Sequence, residues 1–579
     1  MKLSFVYLVC FVVSQTSALE LQFAGVIGNS GDITTTIGRT GGGVVVDAQG
    51  RIFCGGGDRI LVLSRDGRRL WDYALPQPDW VLGGPGFAVV GDQLFFIAGK
   101  PDDHPTESWE FRPGPRAVVP NVCRVRMLPE SPVEVVVGTD KLAWTSPYES
   151  GWLTLSARGD DLFLGYRPAG KPYTVAQIAP DGALTPLFEH DAASMSVDEE
   201  GSFYLGSGDR VAKVDRHGQP VPGFTPSRPP YLGAVPSMLQ GQVMLTRGAL
   251  WDGGPYGFIA RFDRQYRSAP GVVVQNQLLL NRINQVCDVP AELGPDQYYL
   301  QSHDAVYLAA LVDGQLRLRR RFGSLPEVNA LVVTRQGYVG VGNVRCATMW
   351  YDFEKDDPTA APLKAYWPPD GQGWYDGQMA MMAYMFPSGR IGLERYRAEP
   401  FIDFEDFDRH FRPSDLRLAA AARVGSFIFA LERSQPTLWR ATANEPTQLA
   451  KVGQTTAWLS TAATSLTALG VDTLALAGGG KIVALKVGKD GSLTRLWELS
   501  GDGRESFGQA LYVGASASLL LVADTDHDRV LLFRLEPTGA ALVAQCNNGL
   551  RHPTLVALEG ARAAVCDSGN QRVVKLRIK

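Results

Sequence analysis

Val522-Ala523-Asp524-Thr525-Asp526-His527-Asp528-Arg529-Val530 is followed 43 residues later by Val565-Cys566-Asp567-Ser568-Gly569-Asn570-Gln571-Arg572-Val573. In both stretches a small apolar pair runs into Asp, a polar turn, then Arg and a β-branched residue. A fixed spacing of this size is the mark of a repeated supersecondary unit, which no single globular core would impose. A second echo lies far upstream: Val46-Asp47 through Asp58-Arg59 is matched by Val197-Asp198 through Asp209-Arg210, at an offset of 151 residues. Three periods of about 50 residues account for that offset if some connections carry insertions.

Each copy reads as four short strands. In the first, Gly43–Val46 is a small β-branched run suited to a crowded inner strand. Asp47–Gly50 turns the chain, Arg51–Cys54 is the next strand, and Gly55–Asp58 turns again. Ile60–Leu63 is a third strand. Arg65-Asp66-Gly67 has Asp-Gly hairpin chemistry and leads into an outer strand from Leu70. Turn signals every eight to twelve residues imply an all-β fold. A four-stranded unit repeated radially is a propeller blade, of roughly 40 to 50 residues. About twelve candidate units begin near Gly43, Phe87, Leu153, Ser194, Pro236, Asp296, Leu331, Met379, Leu418, Leu469, Leu511 and Thr554. The expected architecture is two tandem β-propellers of about six blades each, residues 19–325 and 326–579. A seven-plus-five split or one large ring with insertions stays open.

The last unit stops after three strands, at Arg572–Ile578. The stretch Leu19–Phe23 alternates apolar and polar residues, and pairing it with a terminal blade would remove two exposed edges. Met1-Lys2, the apolar run Leu3–Val13 and Ser14–Ala18 form a signal peptide pattern, with cleavage expected near Ala18 and a secreted or periplasmic destination. No later segment has the length of uninterrupted apolar sequence that a transmembrane helix needs. The formal charge of −4, and one unit less without Lys2, argues against nucleic acid as a partner. Beyond the signal, six cysteines are too few for a disulfide scaffold. Cys54 and Cys566 fall where a strand expects a small apolar residue and read as buried thiols.

The segments Ala523–Val530 and Cys566–Val573 resemble NHL repeats. Asp567, Ser568, Gly569, Asn570 and Arg572 match the family phrase, with Gln571 in place of the customary His. In the preceding unit Asp524, Thr525 and Arg529 match, while His527 and Asp528 stand where Asn-His is usual. The entry Phe23-Ala24-Gly25 also resembles the start of such domains. The resemblance implies a propeller first and a binding role second, since the family holds interaction scaffolds and some lyase-type enzymes.

Asp524 and Asp567 read as turn-holding acceptors of backbone N–H groups, and Arg529 and Arg572 as ties between blades. Such turns also line one face of a ring, so Asp58, Arg59, Asp209, Arg210, His527, Arg529, Gln571 and Arg572 are the candidate contact residues. Asp524-x-Asp526-x-Asp528 has the spacing of half a calcium loop, but Arg529 stands where that loop needs Gly and Leu535 where it needs Glu. No pair among the seven histidines has metal-ligand spacing. No cofactor is expected, with calcium or zinc at a ring axis left open. Trp71 and Trp497 resemble the docking tryptophans of quinone-dependent propellers but read first as outer-strand packing. The segments Gly371–Met385 and Phe401–Phe411 mix aromatics with methionines or acids, as a partner or sugar surface would. The expectation is an exported binding protein for a protein or carbohydrate ligand. The alternative is a metal-assisted lyase, lactonase or hydrolase working at a ring axis.

Overall fold

The computed structural model describes residues 19–28, 42–101, 118–142, 153–168, 171–207, 210–225, 242–247, 249–253, 259–267, 283–302, 305–325, 328–343, 346–365, 384–385, 391–392, 418–432, 435–442, 445–459, 461–516 and 518–579. The expected signal peptide and the two aromatic-rich segments lie outside them, apart from Tyr384–Met385, which pairs with Ile391–Gly392.

The chain is a β-propeller: nearly all of its regular structure is short antiparallel sheets, most of four strands in sequence order. The strands Val44–Val46, Ile52–Gly55, Arg59–Leu63 and Arg69–Ala74 make the first sheet. Its second and third strands are almost wholly buried, and only the outer strand alternates in exposure. Sheets packed face to face on both sides need such apolar middles, and the contiguous Ile, Phe, Leu and Val runs supply them. The sequence echo has a local cause. Asp47 Oδ1 accepts the backbone N–H of Gln49 at 3.0 Å and of Arg51 at 2.9 Å. Asp198 Oδ1 accepts those of Glu200 and Ser202 at 3.1 and 2.8 Å. In each turn a glycine, Gly50 or Gly201, adopts the positive φ that closes it, at 77° and 88°.

Contacts between inner strands give the order of the sheets. Val44–Val46 neighbours Val81–Val90, which neighbours Thr154–Arg158, then Ser194–Val197, then Gln242–Leu245, then Ile283–Asp288, which returns to Val44–Val46. A second series runs from Leu418–Val424 through Ser465–Ala468 and Leu511–Ser516 to Pro553–Glu559, which packs on Val328–Val333. The candidate unit at Asp296 differs from the structure. Asp296 lies in a turn, and that sheet begins one strand earlier, at Ile283–Asp288. Asn284, Gln285 and Asp288 break the apolar run expected of an inner strand, so the sequence pattern does not mark it.

The N-terminal strand does not belong to the sheets that follow it in sequence. Leu21–Gly28 pairs antiparallel with Arg572–Ile578, from Leu21 opposite Ile578 to Gly28 opposite Arg572. It supplies the missing fourth strand of the last sheet, and the edges at both chain ends are covered together. Residues 42–325 therefore form an insert between the first strand and the second series of sheets, to whose last sheet that strand belongs. The last residue of the insert lies against the end of that strand and its partner: a Cβ on Gly28 would lie 2.8 Å from Leu325 Cγ, and the Leu325 N–H donates to Gln571 O at 2.7 Å.

Side chains lace the neighbouring inner strands. Ser156 Oγ accepts the Val197 N–H at 3.0 Å, Ser194 Oγ the Val243 N–H at 3.1 Å, and Ser465 Oγ the Val513 N–H at 3.0 Å. Where the sixth sheet of the first series returns to the first, the lace is Gln285. Its Oε1 accepts the N–H groups of Val44 and Phe87 at 2.9 and 2.8 Å, and its Nε2 donates to Phe87 O at 2.9 Å. Gly43 makes room for it, because a Cβ there would lie 1.9 Å from Gln285 Oε1. The closure beside the N-terminal strand uses Lys575, a fully buried side chain whose Nζ donates to Phe353 O at 2.9 Å and also to Lys355 O. Burial pushes its ammonium below the ordinary lysine value.

Candidate functional site

The six inner strands of the first series enclose a cavity of about 760 Å³. It opens where those strands end and turn into their second strands. Charged side chains stand there: Arg158, Asp161, Asp198, Glu199, Arg247 and Asp288. Deeper walls are apolar or hydroxylic, including Leu155, Met195, Val243, Thr154 and Ser196. The volume lies in the range of small-molecule clefts, about 300–1,000 Å³.

The charged groups differ in how fully the protein satisfies them. Asp198 is buried and paired with Lys213 Nζ at 3.1 Å. Glu199 meets Arg264 Nη2 at 3.1 Å. Asp161 Oδ1 accepts from Gln177 Nε2 at 2.7 Å, and Arg158 Nε donates to Glu199 O at 3.0 Å. Among the described residues, Asp288 Oδ2 accepts only the backbone N–H of Arg247, at 2.6 Å. Burial raises the Asp288 carboxyl above its ordinary value, against the lowering effect of that N–H and of the nearby arginines. Among the described residues neither Asp288 nor the Arg247 guanidinium enters an ion pair.

The sequence candidates lie elsewhere. Asp209 is outside the described residues, and none of the other seven lines this cavity. Asp58 and Arg59 follow the second strand, opposite the beginning of the inner strand, so they sit at the far end of the sheet from the cavity mouth. Arg59 is bound by Asp58 and by Asp72, both at 2.9 Å. Arg210 opens a third strand and is exposed.

In the two best-matched repeats the same residues build turns. Asp524 is fully buried; its Oδ1 accepts the Gly508 N–H at 3.0 Å, and its Oδ2 accepts from His527 Nδ1 at 2.8 Å and Arg529 Nε at 2.9 Å. Arg529 continues to Asp502 at 3.0 Å and Glu505 at 2.8 Å, in the loop arriving from the previous sheet. Asp567 is likewise buried and accepts from Arg551 N, Asn570 Nδ2 and Arg572 Nε at 2.7, 2.8 and 2.7 Å. Arg572 Nη2 reaches Gly549 O at 2.9 Å. Asp528 and Gln571 occupy the left-handed region, at φ 51° each. The carboxylates at the calcium-like spacing serve separate loops: Asp526 accepts Gln509 N at 2.6 Å and Asp528 accepts His552 N at 2.6 Å. Among the described residues no group of three or more His, Cys, Asp and Glu side chains is placed to hold a metal ion.

Trp71 and Trp497 are half-buried on outer strands, packed against neighbouring core residues. Cys54 and Cys566 are buried free thiols whose burial raises their pKa, and Cys123 is pushed up to about 12. The cavity residues escaped sequence reading because they come from six separated segments. The available signal was polar residues where an inner strand expects β-branched ones, as in Gln285 and Asp288.

No protein-family model matches the chain, and no curated protein matches it in sequence. Among solved structures it is similar to BamB from Moraxella catarrhalis, at 13% identity over 66% of this chain and 91% of that one, with a TM-score of 0.22. It is also similar to a chain of the mitotic checkpoint complex, at 10% identity over 61% of this chain and 100% of that one, with a TM-score of 0.31.

Proposed function

We propose that this chain is an exported binding protein and that its ligand enters the cavity ringed by the first six inner strands. The observation that carries this is the Asp288–Arg247 pair of segments at the cavity mouth. There a half-buried carboxylate and a guanidinium face open space without an ionic partner among the described residues. Groups that only hold a fold together are bonded as Asp524 and Asp567 are, on every side. A concave site with a few convergent polar groups and a perturbed carboxylate is the default place for a ligand. Export rests on the Met1–Ala18 pattern, and the mass of the mature chain tests it.

The cavity reading is tested by capping. Glu199 is an exposed rim residue, and Glu199→Cys labelled with a bulky maleimide closes the mouth. Wild type treated with the same reagent controls for native cysteines. In a thermal-shift screen of small polar compounds, stabilisation by true ligands is expected to disappear in the capped protein. Shifts that all survive capping would place the binding site elsewhere.

A further inference from the structure

We infer that the ligand of this cavity is dipolar, carrying a primary ammonium group that sits against Asp288 and a carboxylate that sits against Arg247, as an amino acid or the ends of a short peptide do. The inference rests on the cavity being the binding site and adds its chemistry.

The argument is one of local charge balance. Of the four acids at the mouth among the described residues, Asp198 is neutralised by Lys213 and Glu199 by Arg264. What remains among the described lining residues are two carboxylates, Asp161 and Asp288, and two guanidiniums, Arg158 and Arg247. Such a mouth has no excess of either sign. A polyanion would meet Asp161 and Asp288, and a polycation would meet Arg158 and Arg247; each would lose about as much as it gained. A dipolar ligand satisfies both signs at once.

The placement favours the assignment of each end. Asp288 lies on the last of the six inner strands, and Arg247 follows the one before it. The backbone of Arg247 is tied directly to the Asp288 carboxylate at 2.6 Å, which fixes the two segments side by side. That bond uses Oδ2, and no described residue bonds Oδ1, which leaves it to a donor entering the cavity. A partly desolvated carboxylate with one protein donor gains most from a charged hydrogen bond. Arg247 is exposed and reaches from the rim, where its planar fork suits a carboxylate. The apolar wall at Leu155, Met195 and Val243 leaves room for the uncharged body between the two ends.

The test uses the full mature chain and four probes: alanine, Gly-Ala-Gly, its N-acetyl derivative and its C-terminal amide, each measured by titration calorimetry. A dipolar probe is expected to bind, with acetylation and amidation each weakening it about tenfold or more. Binding of alanine would indicate a free amino acid; binding of the tripeptide alone would indicate a chain. Asp288→Asn keeps the acceptor for the Arg247 N–H and is expected to erase the penalty for acetylation. Arg247→Gln is expected to erase the penalty for amidation. Equal binding of free and acetylated tripeptide would overturn the inference. So would failure of every dipolar probe while other compounds still bind in a cap-sensitive way, a result that leaves the cavity reading standing. Absence of any cap-sensitive binding would remove both.

Discussion

Gln285 accepts the backbone N–H of Val44 at 2.9 Å across 241 residues of chain. The same side chain holds Phe87 by both its N–H and its carbonyl. One amide thus fastens three inner strands where the first series of sheets returns to its beginning. Backbone groups at such a seam have no ladder partner of their own, and a Gln offers the acceptor and donor that they lack.

Gln285→Ala is therefore expected to cost about 2–4 kcal/mol, since it strands two N–H donors and a carbonyl together. Gln285→Glu removes only the donor to Phe87 O but adds a partly buried charge, and is expected to be no better. Gly43→Ala should resemble Gln285→Ala, because the added methyl occupies the place of the amide oxygen. Urea unfolding of the three variants beside wild type checks this, and unchanged midpoints would mean that the strap is dispensable.

Removal of residues 19–28 is expected to unfold or aggregate the last sheet while leaving the insert 42–325 intact. The deletion bares the whole edge of Arg572–Ile578, an open template for other strands. Conversely, residues 42–325 expressed alone are expected to fold, since their inner strands return on themselves without the N-terminal strand. Hydrogen exchange read by mass spectrometry distinguishes the two regions. Loss of protection throughout 42–325 in the deletion would refute this arrangement.

Asp567→Asn is expected to destabilise by about 3–5 kcal/mol, because it removes the carboxylate paired with the largely buried Arg572, and Asp524→Asn by less, because Arg529 keeps Asp502 and Glu505. Neither is expected to alter cap-sensitive ligand binding in the first cavity. A loss of binding without a fall in melting temperature would give these residues the contact role first assigned to Arg529 and Arg572.

His527 adds a pH dependence of definite sign. The hydrogen bond to the Asp524 carboxylate raises its pKa above the ordinary 6.5. The folded state then holds the proton more tightly than the unfolded chain does. This contribution is complete below pH 6.5 and is lost as pH rises through the folded-state value. Melting temperatures of wild type and His527→Gln should differ most in mild acid and converge in mild alkali. A difference that widens with rising pH would contradict the pairing.

The echo at Asp524 and Asp567 was legible because its cause is local: each carboxylate bonds within its own turn and to the loop beside it. Any chain that repeats those bonds must repeat those residues at a fixed spacing. Most starts of the sheets were legible for the same reason. The beginning at Ile283 was not, because its polar residues serve distant partners.

The sequence by itself determined the construction of the clearest blades, through β-branched runs, Asp-anchored turns and a period, all set by neighbours along the chain. It also showed that Leu19–Phe23 alternates like a strand. Only the tertiary structure decided that this strand completes the last sheet and makes residues 42–325 an insert. Only the tertiary structure gathered Arg158, Arg247 and Asp288 around one cavity. Convergence on an axis joins residues that share no local interaction, so no spacing in the chain records it.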